Sequence, residues 1–248
     1  MLQIQSRTGG RFDNQDFYGF AKTIWGELIV VCDGMGGRNG GRYAADISVN
    51  AVIDEMTKCV SGNPAHALKT AIEKANSLVW KESRAIPSFI GMGTTLVALI
   101  ITPHKAVCCH AGDSRVYQLR NGVIMHRTFD HSEVFEMVYA GLITEEQARS
   151  SDKSNMITRA LGIKPIVEIE ITDNLSYQKG DRFLLCTDGI WGAVHENDLV
   201  KMGSLNSDVE TVVNLFVEKI DSIGFENGGY HDNLTAAIIE MESDSGYQ

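Results

Sequence analysis

A chain of 248 residues with 44% hydrophobic and 22% charged content has the makeup of an ordinary globular protein with room for a sizeable core. Its 22 Lys and Arg against 32 Asp and Glu leave a net charge of −10, which argues against a nucleic-acid surface and suits a protein that holds divalent cations. No apolar run reaches membrane-spanning length and "MLQIQSRTGGRF" lacks a signal-peptide core, so a cytoplasmic protein with no membrane contact is expected. Five cysteines make no CxxC pair; Cys32, Cys108, Cys109 and Cys186 lie in apolar runs and read as buried, reduced thiols.

There is no repeat, low-complexity linker or step in composition, so one domain over 1–248 is expected. "FYGFAKT" and "GELIVVCD" read as strands joined by a turn near Trp25 and Gly26. "GGRYAADISVNAVIDEM" has helical spacing and no proline. Pro64 opens a second helix, "AHALKTAIEKANSLVWKES", which ends before Pro87. "GTTLVALIIT", "KAVCCHAG", "SRVYQLRNG" and "VIMHR" follow as short strands punctuated by Gly and Asn-Gly, the pattern of antiparallel hairpins. "HSEVFEMVYAGLITEEQARSS" returns to helix, with a capping box from Thr144 to Gln147. "DRFLLCTDG" is a strand, "SDVETVVNLFVEKIDSI" an amphipathic helix and "NLTAAIIEM" a final strand. Clustered strands and paired helices predict an α+β fold with antiparallel sheets.

One pattern recurs. An apolar strand runs into an aspartate in a turn at Asp33 ("LIVVCDG"), Asp113 ("CCHAGDS") and Asp188 ("RFLLCTDG"). Asp16 ("DNQDFYGF") and Asp232 ("HDNLTAAII") stand at junctions beside strands. Any one Asp-Gly is read most simply as a turn. Five such aspartates on adjacent strands would crowd their carboxylates, raising their pKa values and costing stability unless hard divalent cations intervene. Metal would then lie between Asp33 and any phosphate held by the glycines of "DGMGGRNGG".

In order along the chain, "RFDNQD", "VVCDGMGG", "GTTLVALI", "AGDSRVYQLRNG", "DHS", "ITRALG", "LLCTDGIW" and "DNLTAAII" resemble the metal-dependent serine/threonine protein phosphatases of the type-2C (PPM) family, in its compact bacterial form. The resemblance runs from Arg11 to Ile239. It implies two stacked antiparallel β-sheets flanked by pairs of helices, a four-layer α-β-β-α sandwich. It implies a hydrolase acting in signalling on phosphoserine and phosphothreonine of proteins, with a serine/threonine kinase as counterpart and a monomer as the working form. It also implies a binuclear Mn2+ or Mg2+ centre. On that pattern Asp33 bridges the two metals, the Gly34 carbonyl ligates one, Asp188 and Asp232 hold the other, and Asp16 supports water. A third, weaker metal falls to Asp113 with Asp188, and Arg11 grips the substrate phosphate. The segment at about 131–160 corresponds to the flap beside the site.

Three departures stand out. Gln15 replaces the usual glutamate before Asp16, keeping an acceptor but no charge. Met35 stands where some members have a histidine, and it cannot protonate a leaving alkoxide. "ARSSDKSN" lacks the His-Pro and Arg expected before Asn155. Among rivals, a cysteine phosphatase finds Cys-x5-Arg at Cys32–Arg38 and Cys109–Arg115, each with an aspartate inside the loop. A nucleotide-binding domain fails the GxGxxG spacing at Asn39. A weakly catalytic phosphoprotein-binding relative rests on Gln15 alone. The seven histidines show no metal-ligand spacing, and His231 reads as a loop residue.

Overall fold

The computed structural model describes residues 1–242, those at 37–39 by backbone alone. One antiparallel sheet has the order β1 (Leu2–Arg7), β11 (Leu234–Glu240), β10 (Arg182–Cys186), β7 (Arg115–Arg120), β8 (Val123–Arg127). The other runs β2 (Asp16–Thr23), β3 (Gly26–Met35), β5 (Leu96–Ile101), β6 (Ala106–Ala111), β9 (Glu170–Leu175), with β4 (Gly93–Thr94) beside the end of β3. The helices are α1 (Gly37–Lys58), α2 (Pro64–Ala85), α3 (Glu133–Tyr139), α4 (Glu145–Arg149), α5 (Asp188–Trp191), α6 (Glu196–Gly203) and α7 (Val209–Glu226).

Alternation along each strand explains the layering. In β3, Ile29 and Val31 face the first sheet, where they meet Phe183, Leu185 and Ala237. Leu28, Val30 and Cys32 point the other way, onto Val49 and Val52 of α1 and Leu68 and Ile72 of α2. On the far side, Leu184, Cys186, Ala236 and Ile238 pack on Val213, Phe216, Val217 and Ile220 of α7. Both sheets are thus covered on both faces, which is why β3 and β10 read as unbroken apolar runs. The result is the expected α+β sandwich of two antiparallel sheets between helical layers. The start of α2 is fixed by Asn63, whose side chain accepts from the Ala65 and His66 N–H groups, with Pro64 at the first helical position.

The strands β1 and β9 and the short helices α5 and α6 were not read from the sequence. β1 and β9 are short edge strands, and "EITDNL" is mostly polar. The helical character expected over "HSEVFEMVYAGLITEEQARSS" is divided between α3 and α4. Gly141, at φ +69°, turns the chain between them, and the Thr144–Gln147 capping box starts the second. This excursion is closed at its base: Ser132 bridges Ile157, and the Thr158 N–H donates to the His131 carbonyl at 2.7 Å. Among the described residues no helix is long and apolar enough to cross a membrane.

Candidate active site

The antiparallel register of β2 and β3 sets Asp16 opposite Asp33, so the two carboxylates leave the second sheet on one face. Asp188 follows β10 and Asp232 precedes β11 in the first sheet, while Asp113 sits in the turn from β6 to β7, which crosses between the sheets. The five aspartates therefore meet at one rim of the sandwich. Asp33, Asp113, Asp188 and Asp232 line a cleft of about 790 Å³ together with Arg11, Gln15, Gly34, Met35 and Asn155. Asp16 lies beneath its floor, where Oδ2 accepts from Thr187 Oγ1 at 2.9 Å and Oδ1 has no partner.

The backbone at Asp33 is fixed by the threonines of "GTT". Thr95 Oγ1 accepts from the Asp33 N–H at 3.0 Å and shares a 2.7 Å hydrogen bond with Ser114 Oγ. Thr94 Oγ1 donates to the Asp33 carbonyl at 2.8 Å. Before these threonines stand Gly91 and Gly93, whose sequence reading is close packing beside the site or a simple loop, and the threonines' own role was missed. Of the two glycines, Gly93 is the packing one, since a Cβ there would press on Ile163 and the Leu161 carbonyl, while Gly91 turns the chain in open space at φ +81°. A Cβ on Gly34 would run into the Gly41 and Gln15 carbonyl oxygens, and one on Gly41 into the Gln15 amide oxygen. Only glycine permits this close seat for Gln15.

Behind Asp113 stands a second missed device. Trp191 Nε1 donates to the Asp113 carbonyl at 2.9 Å, and the Arg115 guanidinium lies 3.6 Å from the Trp191 ring centre. Arg115 also forks both oxygens of Asp130, at 2.7 and 2.6 Å, in a buried pair. Asp130 of "DHS" thus serves the frame of the site.

The electrostatics of the rim are lopsided. Burial and then repulsion from neighbouring carboxylates push Asp16 up to about 7 and Asp188 to about 6. Asp33 and Asp113 are raised well above the carboxylate range for the same two reasons. Asp188 Oδ1, like Asp16 Oδ1, is buried without a partner. Asp232, at the mouth, is met by Arg11, whose Nη2 donates to Oδ2 at 2.7 Å. Crowded oxygen donors with orphaned lone pairs are what hard divalent cations satisfy, so this donor set fits such ions.

The cysteine rival does not survive the fold. Cys32 and Cys109 are fully buried, burial pushes Cys109 up to about 12 and Cys32 higher still, and Arg115 is committed to Asp130. Arg38 lies among the side chains outside the description. The antiparallel sheets likewise remove the nucleotide-binding reading.

The histidines need a correction. Far apart in sequence, His110, His131 and Glu170 converge, with donor atoms within 4.8 Å of one another. The two imidazoles stack at 4.4 Å and 6° from parallel, so their in-plane lone pairs do not aim at a common point. His131 Nδ1 instead accepts from the Gly112 N–H at 3.2 Å, and its Nε2 faces Glu170 at 3.2 Å, bracketing the turn that carries Asp113. His231 is held by Asp221 at 2.7 Å, on the loop before β11.

Residues 7–222 match the family described as Protein phosphatase 2C. The serine/threonine phosphatase stp of Listeria monocytogenes is 32% identical to this chain over 238 residues, 94% of this chain and 89% of its own. The crystal structure of serine/threonine phosphatase Stp1 from Staphylococcus aureus shares the fold with a TM-score of 0.87 and 25% identity, over 98% of this chain and 95% of that one. The catalytic domain of the serine/threonine protein phosphatase PstP, crystallised in complex with two manganese ions, gives a TM-score of 0.81 at 27% identity and covers 97% of both chains. With nearly the whole length matched in sequence and in fold, the chain belongs to the protein phosphatase 2C family of metal-dependent serine/threonine protein phosphatases.

Proposed function

We propose that this phosphatase hydrolyses phosphoserine and phosphothreonine esters of proteins at the aspartate rim, with two divalent cations, manganese or magnesium, held there. The observation that carries the assignment is the meeting of Asp33, Asp113, Asp188 and Asp232 from both sheets at one cleft with Asp16 beneath it, two buried carboxylate oxygens lacking partners. Asp33 and the Gly34 carbonyl, with Asp188 and Asp232, would hold the two cations, and Asp113 with Asp188 would offer a third, weaker position. When bound, the cations activate water as the nucleophile and offset charge on the phosphoryl oxygens.

The chain's own groups do the rest. Arg11 stands at the cleft mouth with one guanidinium nitrogen on Asp232, and its remaining N–H groups can fork the phosphate oxygens. Asp16, pinned below the floor by Thr187, has its free oxygen available to accept from water. The Thr94 and Thr95 hydroxyls hold the Asp33 backbone still while charge moves. Met35 lines the cleft and donates no proton.

We further infer that 1–248 is a single catalytic domain whose segment at about 131–160 acts as a flap. Asn155 of that segment lines the cleft, which supports the reading. The substrates are phosphoproteins made by, or including, a serine/threonine kinase of the same cell, met by a monomeric enzyme in the cytoplasm. Five free cysteines support a reducing compartment. The test is hydrolysis of a phosphothreonine peptide and of p-nitrophenyl phosphate. Chelator should abolish both, manganese should restore them, and iodoacetamide should leave them largely intact. Full activity in chelator with loss on alkylation would remove the metal assignment.

A further inference from the structure

Next to the aspartate cleft lies a second hollow of about 450 Å³, and the two share Met35 and Ile157 as a common wall. Its other lining includes Ile163, Ile166 and Val167. Ile166 is 80% exposed and Ile163 42% exposed, so apolar side chains face water within reach of the catalytic rim.

The loop that presents them is tightly held. Leu161 exchanges backbone hydrogen bonds with Thr94 at 2.8 and 3.1 Å. The Asn76 side chain of α2, 2% exposed, accepts from the Gly162 N–H at 2.8 Å and donates to the Lys164 and Pro165 carbonyls at 3.2 and 3.1 Å. A buried amide is thereby spent on fixing the backbone of a loop whose isoleucines stay uncovered. Of the charged residues around the hollow, Arg159 pairs with Glu168 at 3.3 Å, Glu136 accepts from the Thr158 hydroxyl at 3.0 Å, and Lys164 also stands in the lining. Isoleucines held uncovered on a fixed loop form a preformed apolar surface, and covering it favours an apolar occupant.

We propose that this hollow takes an aliphatic or aromatic side chain of the phosphoprotein substrate, on a residue near the phosphorylated one. The proposal rests on the phosphatase reading of the rim, because continuity with that cleft names the occupant. At ~3.3 Å per residue in an extended chain, an adjoining hollow is reached about two to four positions away.

The test uses phosphothreonine peptides carrying Leu, Ser or Glu at each of those positions on either side, with p-nitrophenyl phosphate as a substrate too small to reach the hollow. In saturating manganese, Leu should exceed Ser in kcat/KM by roughly tenfold at one position, the scale of covering part of a leucine side chain. Ile166→Ser, an exposed change, should erase most of that preference and leave p-nitrophenyl phosphate hydrolysis unchanged. A flat peptide profile with full p-nitrophenyl phosphate turnover would overturn the hollow alone. So would a preference for Glu, which would make Lys164 and Arg159 the readers, or an Ile166→Ser variant that loses both substrates by the same factor. Wild-type protein inactive on every phosphoester would instead overturn the reading of the rim.

Discussion

Removing cations from the aspartate rim should destabilise the protein by an amount that grows with pH. In the cation-free fold Asp16 titrates at about 7 against an ordinary 3.8, and Asp188 at about 6. Between these limits the folded chain keeps protons that the unfolded chain has lost. Asp16 and Asp188 therefore cost nothing below about pH 4, and their destabilising effect is complete above about pH 7. For Asp16 alone, the rise from 3.8 to about 7 corresponds to at most about 4 kcal/mol. A bound cation takes the place of the proton. If it displaces one proton on average, its stabilising effect should grow by about 1.4 kcal/mol per pH unit, or about 3 kcal/mol from pH 5 to 7. For a chain of this size that is roughly 6–12 °C in Tm. The assay is thermal unfolding in EDTA and in saturating manganese at pH 5, 6, 7 and 8, read as the difference between the two curves. The subtraction cancels His110, which burial pushes down to about 4 and whose own pH effect has the opposite sign. Asp33→Asn should shrink the manganese shift at every pH and lower turnover roughly a hundredfold or more. A manganese shift equal at pH 5 and pH 7 would refute the reasoning.

Arg11→Ala should mainly raise KM for a phosphopeptide, with kcat/KM falling by about 1.5–3 kcal/mol, tenfold or more. An unchanged kcat/KM would leave Arg11 with Asp232 as its only partner. Gln15→Glu adds a charge at a cleft-lining position without changing the side chain's shape, so it should lower the half-saturating manganese several-fold at an unchanged maximal rate. An equal or higher half-saturation point would show that Gln15 does not address the cations. Asp113→Ala should cost one weakly bound manganese in equilibrium dialysis and leave the central pair. A folded variant that loses every ion would make Asp113 part of the central pair.

The aspartates and the strands that carry them were legible because each stands at the end of an apolar run, and the ends of neighbouring strands share a rim. The Asp16–Asp33 pairing was not, since it depends on the register across the Trp25 turn. Nor was the support beneath: Thr95 to Ser114 and Trp191 to Asp113 join residues whose proximity only the sheet order creates. The stacked His110 and His131 belong to the same class, brought together by the turns that flank β7 and β8. β1 went unread because six residues of mild alternation before Gly9 and Gly10 become a strand only through β11. The start of α4 was legible as the Thr144–Gln147 capping box.

The placing of β11 between β1 and β10 has a consequence for how the enzyme comes into being. The ribosome makes Leu2–Arg7 long before Leu234–Glu240, yet these strands are neighbours, with Ser6 and Thr235 bonded across 229 positions. Closing so long a loop costs entropy that grows only logarithmically with length, but it cannot occur before the last strand has left the exit tunnel. Arg11 and Asp232 are joined by the same closure. A nascent chain, or a fragment stopping short of residue 232, lacks an inner strand of one sheet and one wall of the cleft together. Dephosphorylation therefore starts only after translation of the whole fold, and no partial product can act ahead of it.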